Sequence, residues 1–266
     1  MNRTTHLGNT TISYNDTGKG RPLVLLHGYL EAKEVWQPLT DILAQEFRII
    51  GIDLPGHGTS GIAGEMHTME YIAEVVREVM KDAGIDRAML IGHSLGGYAA
   101  LAFTEMYPEK LAGYVLFHSH PHADTTEAIK KRDREIYLVR AGKKDLMYPG
   151  NVSMMFAEQN LGLMQEVVKK LERIASENPG EGVIALLNGM KSRPSRKDVV
   201  EGGMVPLLWI LGRQDRYFTP EKAIGDIMLP ENTEVEILEN SGHLGFIEET
   251  EKSARLISEF ARRLAW

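Results

Sequence analysis

Four short and nearly unbroken apolar runs most tightly constrain how this chain folds: Leu23-Val24-Leu25-Leu26, Arg48-Ile49-Ile50-Gly51-Ile52, Met89-Leu90-Ile91 and Tyr114-Val115-Leu116-Phe117. A strand with one wet face alternates polar with apolar residues; these runs do not, so they bury both faces. Helical patterns such as Ile72 to Met80 separate them. Strands alternating with helices build a mostly parallel sheet covered on both sides. The 266 residues, 43% hydrophobic, suffice for one large α/β domain or a domain with an insertion. Ahead of these runs, Thr11-Ile12-Ser13-Tyr14 alternates after a Gly8-Asn9 turn signal and predicts an antiparallel hairpin.

The alternation stops between about Ser119 and Gly203, where amphipathic helical patterns replace strands. Met164, Val167, Val168, Leu171 and Ile174 form one stripe, with Lys169, Lys170, Glu172 and Arg173 largely opposite. After Pro206 strand patterns return at Leu207-Leu208-Trp209-Ile210-Leu211 and at Thr233 to Leu238, and a last helix is predicted from about Thr250 to Leu264. The expected organisation is therefore a core over 1–118, a helical insertion over 119–203 and the rest of the core over 204–266.

A formal charge of -7 argues against a polyanionic partner such as nucleic acid. Lys130, Lys131, Arg132 and Arg134 are interleaved with Asp133 and Glu135 and read as a solvated helix face. With no cysteine there is no disulfide, thiolate metal site or cysteine nucleophile. Met1 to His6 lacks the apolar stretch of a signal peptide, and no run reaches bilayer length, so a soluble cytoplasmic protein without a membrane partner is expected.

The chemistry concentrates where apolar runs end. Gly92-His93-Ser94-Leu95-Gly96 follows one run and opens a small-residue helical pattern. A serine hydroxyl is a weak nucleophile, and catalysis needs it exposed on a sharp turn beside a base and oxyanion donors. Flanking glycines allow that turn. In an open parallel sheet, functional groups gather beyond the carboxyl ends of the strands. Four further loops there carry suggestive residues: His27-Gly28-Tyr29, Asp53-Leu54-Pro55-Gly56-His57-Gly58, Gly212-Arg213-Gln214-Asp215 and Ser241-Gly242-His243.

Taken together, these motifs resemble the α/β-hydrolase fold family, in its lid-bearing, esterase-like branch. The resemblance implies a twisted sheet of about eight strands with helices on both faces and a helical lid. It also implies a nucleophile, acid and base in the chain order Ser94, Asp215 and His243. Ser94 would attack an acyl carbon, His243 would shuttle the proton and Asp215 would orient the imidazole. The oxyanion donors would be the backbone amides of Tyr29 and Leu95. The implied function is a cofactor-free serine hydrolase of small carboxylic esters or related acyl bonds. Alternatives are a carbon-carbon bond hydrolase, a perhydrolase or a ligand-sensing receptor. The oligomeric state is not legible.

Other residues weigh differently. Pro55, Gly56 and Gly58 build a turn in which Asp53 serves local amides, and His27 and His93 read as hydrogen-bonded packing residues. His118, His120 and His122 point one way if extended, and with Asp124 they make a zinc-like site chemically possible; the preferred reading is a segment at the mouth of the site with no metal. The substrate pocket is expected to involve Trp36, His118, Tyr137, Met154 and Phe156, with Met147, Tyr148 and Met155 as further candidates, although such residues at helical spacing are more often packing. Arg193, Arg196 and Lys197 are available to a substrate carboxylate, but loop cations usually face water.

Overall fold

The computed structural model describes residues 2–266. The first two strands, β1 (Asn2–Leu7) and β2 (Thr10–Gly18), form the expected hairpin, and its turn is made by Gly8 at φ +59°. The chain then runs through β3 (Pro22–Leu26), α1 (Gln37–Leu43), β4 (Arg48–Ile52), α2 (Met69–Asp82), β5 (Ala88–His93), α3 (Leu95–Met106) and β6 (Leu111–Phe117). Every residue of β5 and β6 is buried, which is why their sequences carry no polar alternation. The α2 helix starts at a Thr68 cap, whose hydroxyl accepts from the Tyr71 amide at 3.1 Å, and buries Ile72, Val75, Val76 and Val79 along one face.

Between β6 and the next strand, the described residues form only helices: α4 (Thr126–Arg140), α5 (Lys144–Met155), α6 (Glu158–Leu161), α7 (Gln165–Glu177), α8 (Gly180–Ser192) and α9 (Lys197–Glu201). The chain ends with β7 (Leu207–Gly212), α10 (Pro220–Ile224), β8 (Thr233–Leu238), α11 (Gly245–Glu248) and α12 (Thr250–Arg263). The sheet has eight strands in the order β1-β2-β4-β3-β5-β6-β7-β8, antiparallel in its first three members and parallel from β4 to β8. Consequently the carboxyl ends of β3, β5, β6, β7 and β8 lie side by side.

Buried polar contacts fasten the loops at this end. Asp53 accepts from the amides of Lys33 and Thr59, both at 2.9 Å, and its carboxylate pairs with the buried Lys33 ammonium at 2.5 Å. The service to local amides was legible in the sequence; the buried lysine was not. The helical segment is tied down by Asn178, whose side chain accepts from the Gly58 amide at 2.9 Å. Arg196 joins it to Glu105 at 2.9 Å and to Glu70, and Lys197 pairs with Asp226 at 2.9 Å. Arg193 stacks 3.8 Å above the Tyr98 ring and bonds Asp124 at 2.6 Å. These three cations brace the helices and do not line the cavity described below.

Candidate active site

Ser94 occupies the single residue between β5 and α3, at φ 49° and ψ -111°. This left-handed backbone is strained for any residue with a Cβ, costing about 1–3 kcal/mol, and it lifts the side chain off the end of the sheet. A Cβ on Gly92 would run into the Gly96 carbonyl, and one on Gly96 into the Leu26 carbonyl, so the turn requires both glycines. The Ser94 amide donates to Phe117 O at 3.0 Å, and Ser119 Oγ donates to Ser94 O at 2.8 Å, which fixes the turn against β6.

Asp215 lies beyond β7 and His243 beyond β8, and His243 Nδ1 sits 2.7 Å from Asp215 Oδ2. An ionised carboxylate only accepts, so Nδ1 carries the hydrogen and Nε2 is left basic. The other carboxylate oxygen accepts from the Tyr217 amide at 2.8 Å, and both residues are buried. The His243 amide donates to Met155 O at 2.6 Å, anchoring the loop beneath the end of α5. Among the described residues, no loop, cap or side-chain hydrogen bond takes up the amides of Tyr29 or Leu95.

Ser94 and His243 share a cavity of about 250 Å³. Tyr29, Leu30, Tyr98, Met155, Met190 and Phe218 give it apolar and aromatic walls, and α4 contributes Ala128, Lys131, Arg132 and Glu135. Lys131 is exposed, as the reading of a solvated face expected, and borders this hollow, whereas Arg132 is half-buried beside it.

The five expected pocket residues lie elsewhere. Trp36 is buried in the core, its ring 4.2 Å from that of Phe246, and Phe156 is fully buried. Tyr137 and Met154 are 69% and 39% exposed on the outer side of their helices. Helix periodicity marks which residues are apolar but not which face covers the site.

His118 is buried behind Asp215. At φ +45° it leaves the extended backbone, so the three histidines that follow β6 do not share one face. Its Nε2 accepts from the Gly245 amide at 3.0 Å, which places its hydrogen on Nδ1, 3.7 Å from Asp215 Oδ2. His120 instead meets the Tyr98 hydroxyl at 3.3 Å, and His122 meets Ala223 O at 3.0 Å. Only His118, Asp215 and His243 have ligand atoms clustered within 4.8 Å among the described residues, and His243 Nδ1 and Asp215 Oδ2 already hydrogen-bond to each other.

His93 and His27 are both hydrogen-bonded within the core. His93 bridges Glu31 Oε2 at 3.0 Å and His243 O at 2.8 Å, while His27 bonds Gly28 O at 2.8 Å and the Leu54 amide at 3.0 Å.

Five imidazoles each accept a backbone N–H on one ring nitrogen, which a protonated ring cannot do: His27, His57, His67, His118 and His120. Burial holds all five below the usual histidine range, with His57 and His120 pushed down to about 3. Their contribution to stability is present above the unfolded value of about 6.5 and is lost as pH falls from there. Burial raises Glu135 and Glu248, which act in the opposite sense and are outnumbered. The urea midpoint is therefore expected to fall between pH 7 and pH 5, above the range where ordinary carboxylates titrate; a flat midpoint across that interval would contradict this.

Residues 21–250 match the family model for the alpha/beta hydrolase fold. The pimeloyl acyl-carrier-protein methyl ester esterase of Aeromonas hydrophila is 27% identical over 263 residues, covering 94% of this chain and 99% of its own. A 2-hydroxy-6-oxononadienedioate/2-hydroxy-6-oxononatrienedioate hydrolase of Burkholderia vietnamiensis is 28% identical over 263 residues, covering 95% and 91%. The malate-bound structure of a thermophilic esterase from Thermogutta terrifontis superposes with a TM-score of 0.92 at 28% identity, covering 99% of this chain and 98% of that one. The chain belongs to the α/β-hydrolase fold family. It is an enzyme of the hydrolase class represented by these relatives. No helix of the described residues is long and apolar enough to cross a membrane.

Proposed function

We propose that this protein is a serine hydrolase of small carboxylic esters, with Ser94 as nucleophile, His243 as base and Asp215 as its orienting acid. The observation that carries the reading is the His243–Asp215 bond of 2.7 Å opening onto the same cavity as a serine on a strained strand-to-helix turn. Ser94 Oγ bonds to the ester carbon while its proton passes to His243 Nε2. The amides of Tyr29 and Leu95 hold the oxyanion. Collapse breaks the bond to the alcohol oxygen, which leaves with the proton from His243. Water, deprotonated by the same imidazole, then releases the acid and returns the proton to Ser94.

In this reading the helical segment 119–203 is a lid. A cavity of about 250 Å³ lies below the usual span of drug-sized sites, which favours short acyl groups. Relatives named as ester hydrolases support the reaction class.

A fluorophosphonate probe tests the assignment. One equivalent is expected to attach, and peptide mapping should find it on Ser94. Stoichiometric attachment to another residue would overturn the assignment.

A further inference from the structure

The face that α4 turns into the cavity has unusual chemistry. Ala128, Lys131, Arg132 and Glu135 follow one another at intervals of three, one and three residues, which places them on one side of the helix, and all four line the hollow that contains Ser94. A helix face closing over an interior space is ordinarily apolar. Three of these four positions carry ionisable groups.

The charges do not cancel among themselves. Arg132 Nε lies 2.5 Å from Asp124 Oδ2, but the same carboxylate also receives Arg193 Nη1 at 2.6 Å, so one anion serves two guanidiniums. Nη1 of Arg132 donates no hydrogen bond among the described residues. The Lys131 ammonium has no carboxylate within ion-pair distance among the described residues and sits 5.4 Å from the centre of the Tyr217 ring. That ring lies 4.7 Å from the His243 imidazole, so Tyr217 touches both the Lys131 cation and His243. Glu135 has no ion-pair partner there either; burial raises its carboxyl, and the nearby charges of Lys131 and Arg132 act against that rise. Tyr29 adds a buried hydroxyl with no hydrogen-bond partner.

We propose that this end of the cavity is a carboxylate subsite. The substrates are short esters whose acyl chain ends in a second, ionised carboxyl group, held by Lys131, the free edge of Arg132 and the Tyr29 hydroxyl while Ser94 attacks the ester carbon. Lys131 is exposed at the edge of the hollow, whereas the half-buried Arg132 and the buried Tyr29 hydroxyl are partly desolvated, and together such donors favour an anion over a neutral group of the same shape by roughly tenfold. This assignment of substrate class rests on the serine hydrolase reading above.

The test compares mono-p-nitrophenyl glutarate with the p-nitrophenyl ester of glutaric acid monoamide, its uncharged isostere. Buffer without protein supplies the background for self-hydrolysis, and Ser94→Ala protein is run beside wild type. Wild type is expected to favour the anionic ester by about tenfold or more in kcat/KM, and the preference should shrink between about 20 and about 500 mM salt as the ammonium is screened. Lys131→Met should bring the ratio close to unity, and Lys131→Glu should invert it. The ratio is the readout, so a general loss of activity cancels.

Equal use of the two esters by wild type, or an unchanged ratio in Lys131→Glu, overturns the subsite. If Ser94→Ala hydrolyses both esters as fast as wild type, the serine hydrolase reading fails instead. Calorimetric binding of glutarate against glutaramate then decides the subsite alone: a preference for glutarate that Lys131→Glu abolishes supports it, and indifference overturns it.

Discussion

Replacing Ser94 with alanine is expected to lower kcat on a short aryl ester by on the order of 10⁶-fold, because no other group on the strained turn can form the acyl bond. KM should move far less, since the cavity walls supplied by Met155, Met190 and Phe218 are untouched. The turn is held by backbone contacts from Ser94 to Phe117 O and from Ser119 Oγ to Ser94 O, neither of which involves the hydroxyl, so the variant should fold. Activity above background is expected to remain, supplied by the oxyanion donors and binding alone. A variant retaining more than about a tenth of wild-type kcat would remove Ser94 from the reaction.

Asp215→Asn is expected to cost about 10⁴-fold in kcat with little change in KM. The Asp215 carboxylate accepts the His243 Nδ1 hydrogen on one oxygen and the Tyr217 amide on the other. The fixed amide donor keeps an asparagine oxygen on its own side, which turns the NH₂ group toward His243. Nδ1 must then accept, the hydrogen moves to Nε2, and the imidazole can no longer take a proton from Ser94. Side-chain volume is unchanged, so the loss reports tautomer rather than packing. A fall of less than about tenfold would mean that the Asp215–His243 bond has no catalytic role.

The strands were readable from sequence because burial on both faces leaves a local mark: Met89-Leu90-Ile91 and Tyr114-Val115-Leu116-Phe117 lie in strands with no exposed residue. The choice of Ser94, Asp215 and His243 drew on a related feature. In the proposed site, Ser94 and Asp215 lie past fully buried strands and His243 past β8, whose run from Thr233 to Leu238 alternates and is only partly buried, and the parallel topology sets all three at one end of the sheet.

The cavity walls were not readable. Apolar residues such as Leu171 and Ile174 mark the side of α7 that packs, but a substrate hollow is lined by whatever a helix turns toward it. On α4 that is the charged side, where Lys131 does face water while Arg132 and Glu135 are half-buried, a difference the sequence does not mark. Trp36 and Phe156 drew attention for their size and lie in the core for the same reason. His118 was singled out as a pocket residue and possible ligand, but its place behind Asp215 was not legible, because it depends on a positive φ at the end of β6 that no residue type there announces.

The measurement that bears most directly on the central claim is rapid-quench mass spectrometry with a p-nitrophenyl ester at saturating concentration. The account predicts that protein quenched within the first turnover carries one acyl group, matched by a burst of one equivalent of p-nitrophenol, and that the acyl group lies on Ser94. An acyl group on any other residue, or continued turnover with neither burst nor adduct, would contradict it.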